Sequence, residues 1–294
     1  MAFEVFWSIL FGLVGSCTLN LGKAIQKQGI ELFQKKEMEG TKRAKKGFIW
    51  IIGSVFSFIQ PLFQLLGTEI LGENATIYSA MMGVGIIIVL IYSYKVLKES
   101  INTMELVGSL FIVGGTLVFG IATVFQPPSD PKLFAPNFII TMIIIGAVFL
   151  TFSAYTLKTK RFWGIIFGCI AGSFGGMDNV FKSMSGETSE VDLGAFSGFG
   201  SPFIYISFGL GIGAFLLTNY AYTRAKAITV VPAYTAFYIF MPMLLEASFF
   251  NLVPGAFQVV GVIICIAGVM LATAFKLAKQ CEEITLQEEI EPEE

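Results

Sequence analysis

The sequence predicts an all-α, polytopic membrane helix bundle: nine transmembrane helices in a 4+1+4 order, the two quartets related as inverted-topology repeats. Three observations predict it. Apolar residues fall in blocks long enough to cross a bilayer, basic residues are confined to alternate loops, and an internal repeat leaves one odd helix between its copies.

Of the 294 residues, 55% are hydrophobic and 14% are charged. A soluble domain carries about a quarter charged residues, because its surface faces water. A net charge of −2 with scattered bases leaves no basic face for a nucleic acid. The chain has no histidine, which excludes imidazole metal sites and histidine general bases. Cys17, Cys169 and Cys265 sit inside apolar runs and Cys281 near the C-terminus, with neither metal spacing nor a disulfide pattern.

The expected spans are 3–24, 47–67, 75–95, 104–125, 136–156, 162–184, 202–222, 228–250 and 255–275. Each meets the ~20-residue length of a membrane helix. Their apolar character is continuous, whereas barrel strands alternate, and a helix satisfies its own backbone polar groups in lipid. The first span carries only Glu4 as an early charge and has no basic n-region, so it reads as a retained helix rather than a cleaved signal. Segment 25–46 reads as an amphipathic helix lying on the inner membrane surface and ending in a basic loop. The tail is expected to be acidic, disordered and cytoplasmic, with Glu282, Glu283, Glu288, Glu289, Glu291, Glu293 and Glu294.

Lysine and arginine set the orientation. They cluster at 23–46, 95–98, 158–161, 224–226 and 276–279, on one side of the alternating spans. Only Lys132 and Lys182 fall on the other. The expectation is a multi-pass plasma-membrane protein with its N-terminus outside and its C-terminus inside.

Shifting the chain by 153 residues overlays 47–118 on 200–271 without a gap: Ser54 meets Ser207, Thr76 meets Thr229, Gly108 meets Gly261 and Gly115 meets Gly268. The first helices align at a shift of 156, where Gly12, Ser16 and Asn20 meet Gly168, Gly172 and Gly176. The expected organisation is a first repeat over 1–125, a linker helix over 126–161, a second repeat over 162–276 and a tail over 277–294. An odd linker helix makes the second quartet enter from the opposite side, an arrangement characteristic of secondary transporters with a site between the halves.

Three stretches carry a family likeness: SCTLNLGKAIQKQGI (16–30), LTNYAYTRAKAITVVPAYTAFY (217–238) and the paired glycines 108/115 and 261/268. With them the chain resembles the drug/metabolite transporter superfamily (EamA-like), and within it the NIPA-type magnesium transporters, which also have nine helices. The resemblance implies a duplicated helical unit, a transport function and Mg²⁺ as substrate. The sequence departs from the family pattern at Gln28, in an otherwise lysine-rich exit, and at Tyr78-Ser79, where a Thr-Pro is expected.

The candidate site residues are polar groups inside spans, where a charge costs about 2.5–3.5 kcal/mol on insertion scales. Asp178 and Glu246 lie in the outer thirds of their spans, and Gln60 and Gln64 in the outer half of theirs. Together they offer oxygen ligands that suit a hard cation such as Mg²⁺, Asp178 and Glu246 being the metal candidates. Asp178 also stands i, i+4 from Lys182 and reads equally as a helix-end ion pair. Toward the inside, Asn20 and Asn219 read as buried amides or an inner gate, and Lys23 and Lys27 as inside anchors or an anion site. Tyr234 and Tyr238 supply an aromatic lining. Pro61, Pro232 and Pro242 are expected to break helices and, with Gly172 and Gly176, to act as gates or hinges. The glycine step 164, 168, 172, 176 reads as close helix packing, or as a surface on which the two repeat-related helices rock.

The function expected is an alternating-access secondary transporter of Mg²⁺ or another divalent cation. The alternatives are a proton-coupled exporter of small metabolites or cationic drugs, and a non-transporting membrane scaffold. No enzyme chemistry and no cofactor are expected. The expected partners are a small solute or cation, the lipid bilayer and a second copy of the chain, with no nucleic acid.

Overall fold

The computed structural model describes residues 2–34, 40–71, 81–124, 135–188, 200–250 and 253–272, and all regular structure among them is helical. Helix α1 spans Ala2–Gly29, with a short α2 at Glu31–Gln34, and α3 spans Gly40–Leu71. A 3₁₀ turn at Met81–Gly83 leads into α4, Ile86–Lys95. Then come α5 (Thr103–Val124), α6 (Ala135–Thr159), α7 (Trp163–Thr188), α8 (Pro202–Tyr222) and α9 (Ala227–Phe249). The last helix, α10, spans Ala256–Ala272. Seven helical segments are long and apolar enough to cross a membrane, and Met81–Lys95 and Ala256–Ala272 are shorter apolar helices. By length and composition the chain is an integral membrane protein. Residues 75–80 of the third expected span, 273–275 of the ninth, Lys132 and the acidic tail lie outside the described residues.

The helices pair through small residues, as lipid-embedded helices must when no hydrophobic difference separates protein from solvent. α1 runs antiparallel to α3: Gly22 lies against Gly53 and Ser57, and Gly29 against Trp50. α7 runs antiparallel to α8, with Phe174 against Gly213 and Asp178 against Gly211. α5 and α10 cross with Gly108 facing Gly268 and Gly115 facing Gly261. A Cβ at Gly115 would stand 2.6 Å from the Gly261 carbonyl oxygen, and one at Gly268 would stand 2.6 Å from that of Gly108. α9 is the most enclosed helix, while α6 turns most of its surface outward.

The bundle has two chemically distinct ends. At one, Lys27 donates to the Tyr222 carbonyl, Glu99 accepts from the first N–H groups of α9, and Arg224 covers the Trp163 ring. At the other, Phe138 packs on Phe181 and Phe249, and Phe181 on Phe203. Among the described residues, Lys182 is the one basic side chain at this aromatic end.

Three local expectations change. Residues 25–29 continue α1 and 40–46 open α3, so 25–46 is not a separate surface helix. The physical reason is that the polar face of 25–29 is used by the protein: Gln26 is buried against α3 and Gly29 lies on Trp50. Pro61, Pro232 and Pro242 also sit inside unbroken helices. Each removes only one backbone donor, and the carbonyls of Ser57, Ile228 and Tyr238, four residues earlier, lose their helical partner. Finally, the glycine stripe of α7 packs on α9 rather than on α1, while Ser16 and Asn20 of α1 pack on residues 82–85.

Candidate functional site

The C-terminal half of α1 places Asn20, Lys23, Gln26 and Lys27 on neighbouring turns, facing into the bundle. The spacing of three and four residues keeps them on one helix face. Gln26 donates to the Ser57 hydroxyl at 2.8 Å and the Gly53 carbonyl at 3.2 Å. Its own oxygen accepts from Asn219 of α8 at 3.2 Å, and Asn219 in turn accepts from the Trp50 indole at 2.8 Å. This relay ties α1, α3 and α8 together with every amide proton donor and acceptor in a defined direction.

One turn earlier, Ser16 donates to the Met82 carbonyl at 2.8 Å and accepts from the Gly85 N–H at 3.0 Å. Asn20 donates to the Ser16 carbonyl at 2.9 Å and to the Met82 carbonyl at 3.4 Å. Both partners are acceptors, so the amide orientation is fixed and the Asn20 oxygen faces away from them. That oxygen is buried and has no partner among the described residues.

Lys23 is 4% exposed, and its Nζ has no hydrogen-bond partner among the described residues. It rests on the face of Tyr234, with Nζ 2.8 Å from the ring centroid. A desolvated cation–π contact contributes about 2 kcal/mol, against the roughly 2.5–3.5 kcal/mol insertion cost of a helix-centre charge. Tyr234 therefore offsets much but not all of the penalty. The ring is held by its surroundings: Gly172 and Gly175 of α7 leave no space beside the Tyr234 backbone and hydroxyl.

Tyr234 stacks on Tyr238 with centroids 5.8 Å apart. Tyr238 forms side-chain hydrogen bonds with Gln60 of α3 and Asn179 of α7. Beside Asn179, Asp178 accepts from Lys182 at 2.6 Å and from the Ser207 hydroxyl through its other oxygen. On α7 the residues 168, 172 and 176 face α9, whereas 174 and 178 face α8.

The structure thus joins Tyr234, Tyr238, Gln60 and Asn179 into one buried polar column with Lys23 on the Tyr234 ring, whereas Asn219 belongs to the Gln26–Trp50 relay and Asn20 is held on the carbonyls of Ser16 and Met82. Asp178 borders the column but is engaged by Lys182 and Ser207. Glu246 is half-buried on α9, two turns beyond Tyr238. Gln64 lies in α3 with its side chain outside the described residues. Among the described residues no group of three or more Cys, Asp or Glu side chains is placed to hold a metal ion. Asp178 and Glu246 therefore belong to no such group among the described residues.

Gln26, Trp50 and Asn179 joined the site without being expected. Gln26 lies in the stretch read as a surface helix, so its burial was hidden by the lysines around it. Asn179 is an amide deep in an apolar span, a signal that stands in the sequence beside Asp178.

No protein-family model matches the chain, and neither the curated proteins nor the solved structures contain a match to it.

Proposed function

We propose that the chain is a secondary transporter working by alternating access, made of two inverted four-helix repeats joined by α6. The single observation that carries this reading is the α5–α10 crossing. Under the 153-residue shift Gly108 becomes Gly261 and Gly115 becomes Gly268, so the two glycine contacts exchange with one another. Residue i meeting j while the equivalent of j meets the equivalent of i is the signature of a twofold relation. The residue numbers run in opposite directions along the crossing, which fits an axis lying in the membrane plane. The helix starts agree: Glu105 accepts from the Asn102 N–H and its equivalent, Gln258, accepts from the Gly255 N–H, one capping device used twice.

The proposed topology keeps the basic end cytoplasmic and the N-terminus outside, in a plasma membrane. The buried column joins groups from both proposed repeats, Lys23 and Gln60 from the first and Tyr234, Tyr238 and Asn179 from the second.

Two cargo readings divide at this column. Mg²⁺ follows from the resemblance to NIPA-type transporters, with Asp178 and Glu246 as ligands. A small organic solute follows from the column itself, which presents amides, tyrosines and an ammonium, and this second reading is the one its chemistry favours. Proteoliposome uptake of a panel of isotope-labelled cations and metabolites tests both. Solute flux that Asp178→Asn leaves intact supports the organic cargo, Mg²⁺ flux lost in that variant supports the metal, and no flux of any kind defeats the transporter reading.

A further inference from the structure

We propose that Lys23 and Asn20 form a recognition site for a small organic carboxylate bearing a hydroxyl or amine next to its carboxyl group. The inference rests on the transporter reading for its purpose, but its binding chemistry is separate from it.

Two buried polar atoms lack partners on one face of α1. The Lys23 ammonium offers three donors above the Tyr234 ring. The Asn20 oxygen, three residues earlier on the same helix face, offers an acceptor whose direction is fixed by the two carbonyls that hold its nitrogen. Unsatisfied buried polar groups are rare in folded proteins, and each such atom calls for an explanation such as a ligand.

The nearby charges sharpen the chemistry. No carboxylate forms an ion pair with Lys23 among the described residues. Glu99 is occupied by the N–H groups of Ala227 and Ile228, and Asp178 by Lys182 and Ser207. A bound anion would hold the buried Lys23 amine in its charged form, and the donors of that ammonium match the oxygens of a carboxylate. The Asn20 acceptor asks the same molecule for a donor, which acetate lacks and a hydroxy acid supplies. A bare cation finds one acceptor here and a positive charge beside it.

The test is thermal unfolding of the purified full-length chain in detergent at matched ionic strength, titrated with glycolate, acetate, inorganic phosphate or magnesium chloride. Glycolate is expected to raise the midpoint most and acetate less. Lys23→Gln is expected to weaken glycolate binding about ten- to a hundredfold, the loss of a charge-assisted hydrogen bond. Should that variant not fold, Asn20→Asp supplies an internal anion beside Lys23 and is expected to remove the glycolate response. Equal responses in the wild type and these variants, a response to phosphate alone, or stabilisation by magnesium in place of glycolate would each overturn the proposal. Glycolate flux in proteoliposomes then separates the two ideas: binding without flux keeps the site and defeats the carrier, and solute flux unaffected by Lys23→Gln keeps the carrier and defeats the site.

Discussion

The thiol of Cys265 points at the carbonyl oxygen of Ile112 at 3.6 Å, and the two residues are 153 positions apart. That separation is the shift that overlays one half of the sequence on the other, so Ile112 meets its own repeat equivalent. A residue touches its equivalent only near a symmetry axis. The α5–α10 crossing is the place where the proposed halves face each other.

Substitution of Gly115 and of its equivalent Gly268 is predicted to be costly, and equally so. A methyl group at either position meets a carbonyl oxygen 2.6 Å away across the crossing. Overpacking of this kind costs about 1–3 kcal/mol. Unfolding in detergent should show Gly115→Ala and Gly268→Ala losing similar stability. Gly146→Ala is the control: nothing lies within 4 Å of its added Cβ, and the change should be neutral or stabilising.

Asn219→Leu is predicted to destabilise by about 2–4 kcal/mol, because the Trp50 indole and the Gln26 oxygen both lose their partner in a buried setting. Adding Gln26→Leu removes one of the stranded groups. The double variant should then lose less than the sum of the two single variants, a non-additivity that an unfolding double-mutant cycle measures directly.

Glu99 reaches across 128 residues to accept from the Ala227 N–H at 3.0 Å, with the Ile228 N–H at 3.4 Å. It serves as the N-terminal cap of α9, a helix whose own N-cap residue, Lys226, forms no side-chain cap. Glu99→Gln should cost about 0.5–2 kcal/mol. Amide exchange at 227–230 should quicken more than exchange elsewhere in α9.

Asp178 and Lys182 are predicted to act as a pair. Removing either alone strands the other at the partly buried aromatic end, at a cost of about 1–3 kcal/mol. Asp178→Asn combined with Lys182→Met should be milder for stability than the sum of the two. Equal and additive losses would show that Asp178 is held by Ser207 alone.

The helical segments were legible in the sequence because the apolar length rule acts locally: the starts of α5 and α8 fall within a residue of their expected positions. What the sequence concealed is the long-range pairing of polar groups. Nothing near Glu99 announces that its carboxylate caps a helix in the other half. Lys23 stands in a run of lysines, where anchoring at the membrane surface is the ordinary reading, and only the neighbouring Tyr234 ring makes its burial visible. The prolines misled for the opposite reason, since a single lost donor is tolerated when adjacent helices hold the chain in place.

Labelling of equivalent loop positions determines whether the two halves lie oppositely oriented across the membrane. With Cys17, Cys169, Cys265 and Cys281 replaced by alanine, Asn102→Cys and Gly255→Cys are each treated with a membrane-impermeant maleimide in sealed right-side-out vesicles. Position 255 should react at once and position 102 only after permeabilisation. Reaction of both from the same side would contradict the inverted arrangement and the transport mechanism built on it.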